Sequence, residues 1–172
     1  MIKVFFFGFI LIGLTAKAQR ADSLFMAAAI TKQKHAKEYT IQVAEKMPAG
    51  KYGFKPSPEE MSFDEQLLHT MRLMQFLCKT YLNGPANPVK IPDSAVDKEA
   101  TVKLLNSIYD YTIISLQNFN VAQLADTVSF IVKPTNKLQI INLLNDHQTH
   151  HRAQLIVYLR LNGIKPPGYV GL

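Results

Sequence analysis

The sequence predicts an all-α protein, a four-helix bundle with long connections. Three observations carry the prediction. Four segments of about 22 to 27 residues place apolar side chains at helical spacing. Clusters of proline and glycine separate them. Nothing between the clusters reads as a sheet, although Thr127–Val132 has the residue types of one short extended stretch.

The chain opens with Met1-Ile2-Lys3, an apolar run from Val4 to Leu14, and Thr15-Ala16-Lys17-Ala18. A positive start, a short apolar stretch and alanine at both small-residue positions predict a secretory signal peptide over residues 1–18. The run is too short for a spanning helix, which needs roughly 20 apolar residues, so no stable membrane anchor is expected. Residues 19–172 then form one exported domain, periplasmic or secreted.

The first helical segment runs from Ala21 to about Lys46, with Asp22 or Ser23 as its cap and Pro48-Ala49-Gly50 as its stop. Lys51–Met61 carries Pro56 and Pro58 and reads as extended. The second segment covers about Ser62 to Asn83. Ser62 and Glu65 make a capping box, and Gly84-Pro85 ends the helix. Asn87–Ser94 holds two prolines and is loop. The third segment covers about Ala95 to Asn118, with Leu104, Leu105, Ile108, Tyr111, Ser115, Leu116 and Phe119 as its apolar stripe. The fourth runs from about Asn136 to Asn162, with Thr135 as cap and Gly163 just past its end. The two proline-bearing connections exceed the 2–8 residues usual in bundles, which suits a crossover between parallel neighbours.

Composition limits the chemistry. Apolar residues make up 48% and charged residues 19%, an ordinary globular balance. The formal net charge of +6 is spread along the chain, and cleavage of the leader removes Lys3 and Lys17 from it, so no nucleic-acid partner is expected. The lone Cys78 excludes an internal disulfide and any multi-cysteine metal site, and it reads as a buried apolar residue. A haem bundle would lack its Cys-x-x-Cys-His attachment. Histidine, carboxylates and hydroxyls are left to act.

The informative stretch is Asn145-Asp146-His147-Gln148-Thr149-His150-His151-Arg152-Ala153-Gln154. His147 and His151 are four apart and share a helix face. They fall on the stripe Ile140, Leu144, His147, His151, Leu155, Tyr158, which should face the core. Buried imidazoles need partners, and a metal ion serves both. His69, flanked by Leu73 and Phe76, is the candidate third ligand from the second helix. Cys78, nine residues on, lies about 180° around that helix and cannot join it. A three-histidine site has the layout of a catalytic rather than a closed structural centre. His150 lies about 100° from His151, as a neighbouring group or a substrate contact. His35 sits among Lys32, Gln33, Lys34, Lys37 and Glu38 and reads as part of a solvated face. Asn145, Asp146, Gln148 and Gln154 are available to orient the imidazoles. Arg152 and Gln154 could hold an acidic or polar substrate, although Arg152 reads first as a surface charge or ion-pair partner.

The run His147 to Gly163, with its His-x-x-His-His-Arg-Ala-Gln start, resembles the closing motif of the DinB/YfiT-like family of metal-dependent enzymes. Pro48 to His69, a proline-rich stretch leading to Leu-Leu-His, is similar to that family's first connection and second helix. The resemblance implies a four-helix bundle of unusual connectivity and a divalent metal, zinc or nickel, on His69, His147 and His151. Ala153 stands where the family usually has glycine. Some family members resemble thiol-dependent transferases.

Two functional classes follow. One is an exported metalloenzyme that hydrolyses, or transfers a group on, a small-molecule substrate. The alternative is a non-catalytic exported bundle that binds a metal or ligand. Apolar bundle faces would also allow a homodimer.

Overall fold

The computed structural model describes residues 5–131 and 133–170, with side chains described from Arg20 onward. The signal peptide expected over residues 1–18 lies outside the residues whose side chains are described. Helix α1 spans Phe5–Lys46, α2 Phe63–Tyr81, α3 Lys98–Gln117 and α4 Lys137–Leu161. Among the described residues no helix is long and apolar enough to cross a membrane.

Helix α1 runs straight through Asp22 and Ser23, so neither caps it, contrary to the expectation from sequence. Ala16 to Ala21 is built from strong helix formers with no proline or glycine to interrupt them. It ends before Pro48, whose carbonyl accepts from Lys51 N–H in a short 3₁₀ turn. Helix α2 begins as expected at Ser62. Ser62 Oγ accepts from Glu65 N–H at 3.3 Å, and Glu65 Oε2 accepts from Ser62 N–H at 2.7 Å. Lys55 lies 3.0 Å from the same carboxylate. The Ser62 backbone bond first, and then Lys55, hold the Glu65 carboxyl down to about 2. Asp97 caps α3 through Ala100 N–H at 2.8 Å.

Two local expectations are corrected. Residues 127–136 form a two-stranded antiparallel hairpin, β1 Thr127–Phe130 and β2 Lys133–Asn136, in register Thr127↔Asn136 and Phe130↔Lys133. Pro134 does not break it. In a two-stranded ribbon a proline N can face away from the partner. The cap of α4 is Asn136, not Thr135. Its Oδ1 accepts from Gln139 N–H at 2.9 Å, because the ribbon carries Thr135 one residue too far upstream.

Helices α1 and α2 each pack against both α3 and α4. Consecutive helices α1 and α2 thus take opposite corners. Directions follow from the contacts. Gln33 meets Asn145 and Thr40 meets Arg152, so α1 and α4 run parallel. Lys37 meets Asp110 and Lys98 meets Glu45, so α1 and α3 are antiparallel. His69 meets His147 and Gln66 meets Tyr158, so α2 opposes α4. Helices α2 and α3 are therefore parallel neighbours joined by a crossover.

That crossover returns along α2. Gly84 N–H reaches Cys78 O, Gln75 Nε2 donates to Val89 O, and Arg72 donates to the Pro92 and Asp93 carbonyls. Extended chain covers about 3.3 Å per residue. Leu82–Asp97 can therefore span the ~28 Å of a 19-residue helix. The prolines keep the return strand extended and remove donors that a helix would need.

The core fills the space between the four helices with Val43, Met47, Leu67, Met71, Ile108 and Leu144, all buried. Tyr109 is fully buried with its hydroxyl 2.8 Å from Thr40 Oγ1. Cys78 is buried as expected, and burial pushes its thiol up to about 11. Phe76 departs from expectation. It is 45% exposed, because α2 turns Leu73 rather than Phe76 toward the core.

Candidate metal centre

The three predicted histidines converge. His69 Nε2 and His151 Nε2 each lie 3.1 Å from His147 Nε2. One ligand nitrogen from each ring falls within 4.8 Å of the other two. Helix geometry brings them there: His147 and His151 are one turn apart on α4, and antiparallel α2 sets His69 against that turn. The capping box fixes where α2 starts, and so which face carries His69 at its seventh residue.

Gln66 orients the cluster, a role the sequence reading had given to α4 residues. His151 Nδ1 is hydrogen-bonded to Gln66 Oε1. Gln66 Nε2 donates to the Tyr158 hydroxyl at 3.4 Å, and Tyr158 donates to Met61 O at 2.9 Å. The amide nitrogen is committed to Tyr158, so the amide oxygen faces the ring and His151 must donate from Nδ1. The proton on Nδ1 leaves a lone pair on Nε2, aimed at the cluster. The only local signal for Gln66 is its place three residues before His69, on the same face of α2. Asn145 and Gln148 turn away, toward Gln33 of α1, and Asp146 is exposed.

All three rings favour the neutral form. Burial first, then the neighbouring histidines, lowers His147 and His151 to about 4. Burial and then Arg72 lower His69. Neutral imidazoles carry the lone pairs that a cation takes.

The donor set fits a divalent ion. A single Nε2–H can serve one acceptor, so three facing ring nitrogens cannot all satisfy one another. Two nitrogens about 2.0–2.1 Å from one tetrahedral ion stand ~3.4 Å apart, close to the 3.1 Å spacing found. This three-histidine group can hold a metal ion.

The other sequence candidates fall elsewhere. His150 is exposed, with Gln154 Nε2 3.3 Å from its Nε2. Arg152 lies over the Tyr39 ring, 5.3 Å from its centroid, on the α1 side of α4. Ala153 is exposed, so its extra methyl crowds no helix. Cys78 is apart from the cluster. Gln33, read from sequence as solvated, is fully buried, and His35 beside it is half-buried.

A groove of about 770 Å³ opens beside His69, between the 53–62 connection, the start of α2 and residues 93–95. Glu59, Glu60 and Arg72 stand on its walls.

Comparison with known proteins agrees with this architecture. The uncharacterized protein YjoA of Bacillus subtilis (strain 168) is 24% identical over 127 residues, 72% of this chain and 82% of that protein. The crystal structure of that DinB-like protein superposes with a TM-score of 0.70 at 19% identity, covering 84% of this chain and 97% of the other. A DinB-like protein from Bacillus cereus gives a TM-score of 0.66 at 16% identity, covering 82% and 95%. The sequence signature of the DinB superfamily matches residues 34–155, which include all three histidines, and the chain belongs to that superfamily.

Proposed function

We propose that the chain is an exported metal-dependent enzyme acting on a small molecule by hydrolysis or group transfer. The observation that supports it most is the convergence of three neutral imidazole nitrogens beside a groove open to solvent. His69, His147 and His151 hold the ion, and Gln66 keeps His151 in the ligating tautomer. A bound divalent ion, zinc or nickel, supplies Lewis acidity at that point. Glu59 and Glu60 share the groove with His69, so carboxylates able to take a proton stand on the wall that would receive substrate. The leader-like residues 1–18 support export.

Elemental analysis of untagged residues 19–172, purified without added metal, tests the centre. The expected result is about one ion per chain, lost when His69, His147 and His151 are all replaced by alanine. Absence of any ion, even after reconstitution, would remove the enzyme reading. A metal-dependent turnover in a hydrolase and transferase screen would then identify the reaction. Expression with the native leader should yield a mature protein beginning at Gln19 in intact mass.

A further inference from the structure

The groove beside His69 is polarised along α2. Glu59 and Glu60 stand before the helix starts, and Glu65 lies in its first turn. Arg72 lines the same groove beyond them, about 10 Å further along the axis than Glu65. His69 falls between, one turn past Glu65 and one turn short of Arg72. At the acidic end Lys55 already lies 3.0 Å from the Glu65 carboxylate.

Arg72 is placed by main-chain atoms. Its Nη2 donates to Pro92 O at 2.7 Å and to Asp93 O at 2.8 Å. Two carbonyls of the crossover therefore fix the guanidinium, although the residue is exposed. A carbonyl is neutral, so these bonds orient the cation without cancelling its charge. A guanidinium has five N–H donors in a rigid fork, and these two bonds involve Nη2 alone. Three residues separate Arg72 from His69, which puts the two side chains on one helix face. After burial, the charge of Arg72 is what lowers the His69 imidazole. The cation thus stands within electrostatic reach of the histidine centre, on the wall of a groove open to solvent.

We propose that Arg72 determines the specificity of this site: it takes the carboxylate of a small carboxylic acid whose reacting group lies at the histidine centre. The inference rests on reading His69, His147 and His151 as the metal site. The polarity of the groove sets the orientation. The acid end of the substrate is drawn to Arg72 and repelled by Glu59 and Glu60 at the other end. The same carboxylates favour a substrate with one negative charge over a phosphate monoester with about two, because the second charge adds repulsion.

The test loads residues 19–172 with cobalt, whose visible absorption reports an anion entering its coordination. Propionate brings one carboxylate, while malonate, succinate and glutarate bring a second at increasing reach. The best of the three diacids should bind about fivefold more tightly than propionate. Arg72→Gln keeps amide protons for the two carbonyls and removes the charge. It should bring that diacid close to propionate while leaving propionate itself unchanged. An arginine that only braced the crossover would weaken both acids together. In the unaltered chain loaded with zinc, the Arg72 Nε–H signal in nuclear magnetic resonance should move with the diacid and not with propionate. That measurement keeps the test readable should Arg72→Gln fail to fold. No diacid tighter than propionate, an equal loss for both acids in Arg72→Gln, or a still Arg72 signal would overturn the proposal and leave the metal centre standing. A chain that takes up neither metal would overturn both.

Discussion

His151 donates its Nδ1 proton to Oε1 of Gln66, and this single bond decides which nitrogen of the ring faces His69 and His147. The two residues are 85 apart in sequence and sit on different helices. Removing Gln66 should therefore act on the metal without touching a ligand. Gln66→Leu is expected to lower metal affinity by about 10–100-fold. Competition with a chromophoric chelator measures it. An affinity equal to that of the unaltered chain would mean that Gln66 does no more than fill space.

The metal-free chain should lose stability in mild acid. In the unfolded chain the imidazoles take up protons near pH 6.5. In the folded chain His147 and His151 do so only at about 4. Between those values the unfolded state binds more protons, so stability is full above about pH 6.5 and falls as the pH drops toward 4. Glu65, held down to about 2, contributes in a lower window, between its unfolded value near 4.5 and about 2. Urea midpoints in chelator at about pH 7 and about pH 5 separate the two. The decline should flatten in the His147→Ala plus His151→Ala variant, and an undiminished decline there would assign it to other groups.

Gly84 brings the crossover backbone close against the end of α2. A Cβ placed there would meet Tyr111 Oη at 2.6 Å and the Cys78 carbonyl carbon and oxygen at 3.0 Å. The tyrosine can swing, but the carbonyl belongs to the last turns of α2. Gly84→Ala should cost about 1–3 kcal/mol. Thermal or urea unfolding gives the value, and a neutral result would show that the return strand shifts freely.

Ile131 carries φ +51° in the hairpin turn and is 82% exposed. A β-branched residue in the left-handed region is strained, at about 1–2 kcal/mol. Ile131→Asn relieves the strain and loses almost no packing. Its unfolding midpoint should rise by the equivalent of about 1 kcal/mol. A lower midpoint would mean that the isoleucine packs against something that matters more than its backbone.

Much of the fold was legible because its punctuation is local. Ser62 with Glu65, the prolines of the connections and Gly163, with φ +71° just past α4, act over a few residues and read directly. The three histidines were legible because polar rings on apolar stripes stand out. Gln33 was not, since its immediate neighbours are charged and only Asn145 and Gln148, more than a hundred residues away, explain its burial. Gln66 escaped for the same reason: its partners come from α4 and from Met61. The hairpin was half seen, as one extended stretch, because its second strand begins Lys-Pro and the pairing overrides that propensity.

The crossover between α2 and α3 also bears on how the chain assembles. An up-and-down bundle can zip together from neighbouring hairpins, each closing a short loop. Here α2 and α3 are parallel, and α1 meets α4 only through pairs such as Gln33 and Asn145, 112 residues apart. The contacts between helices appear only after large loops have closed, and the entropy of closing them comes before that reward. Folding should therefore be slower than for an up-and-down bundle of equal length, and limited by docking of α4, the last helix made, against α1 and α2. The helix that supplies two of the three imidazoles is also the one whose docking completes the bundle.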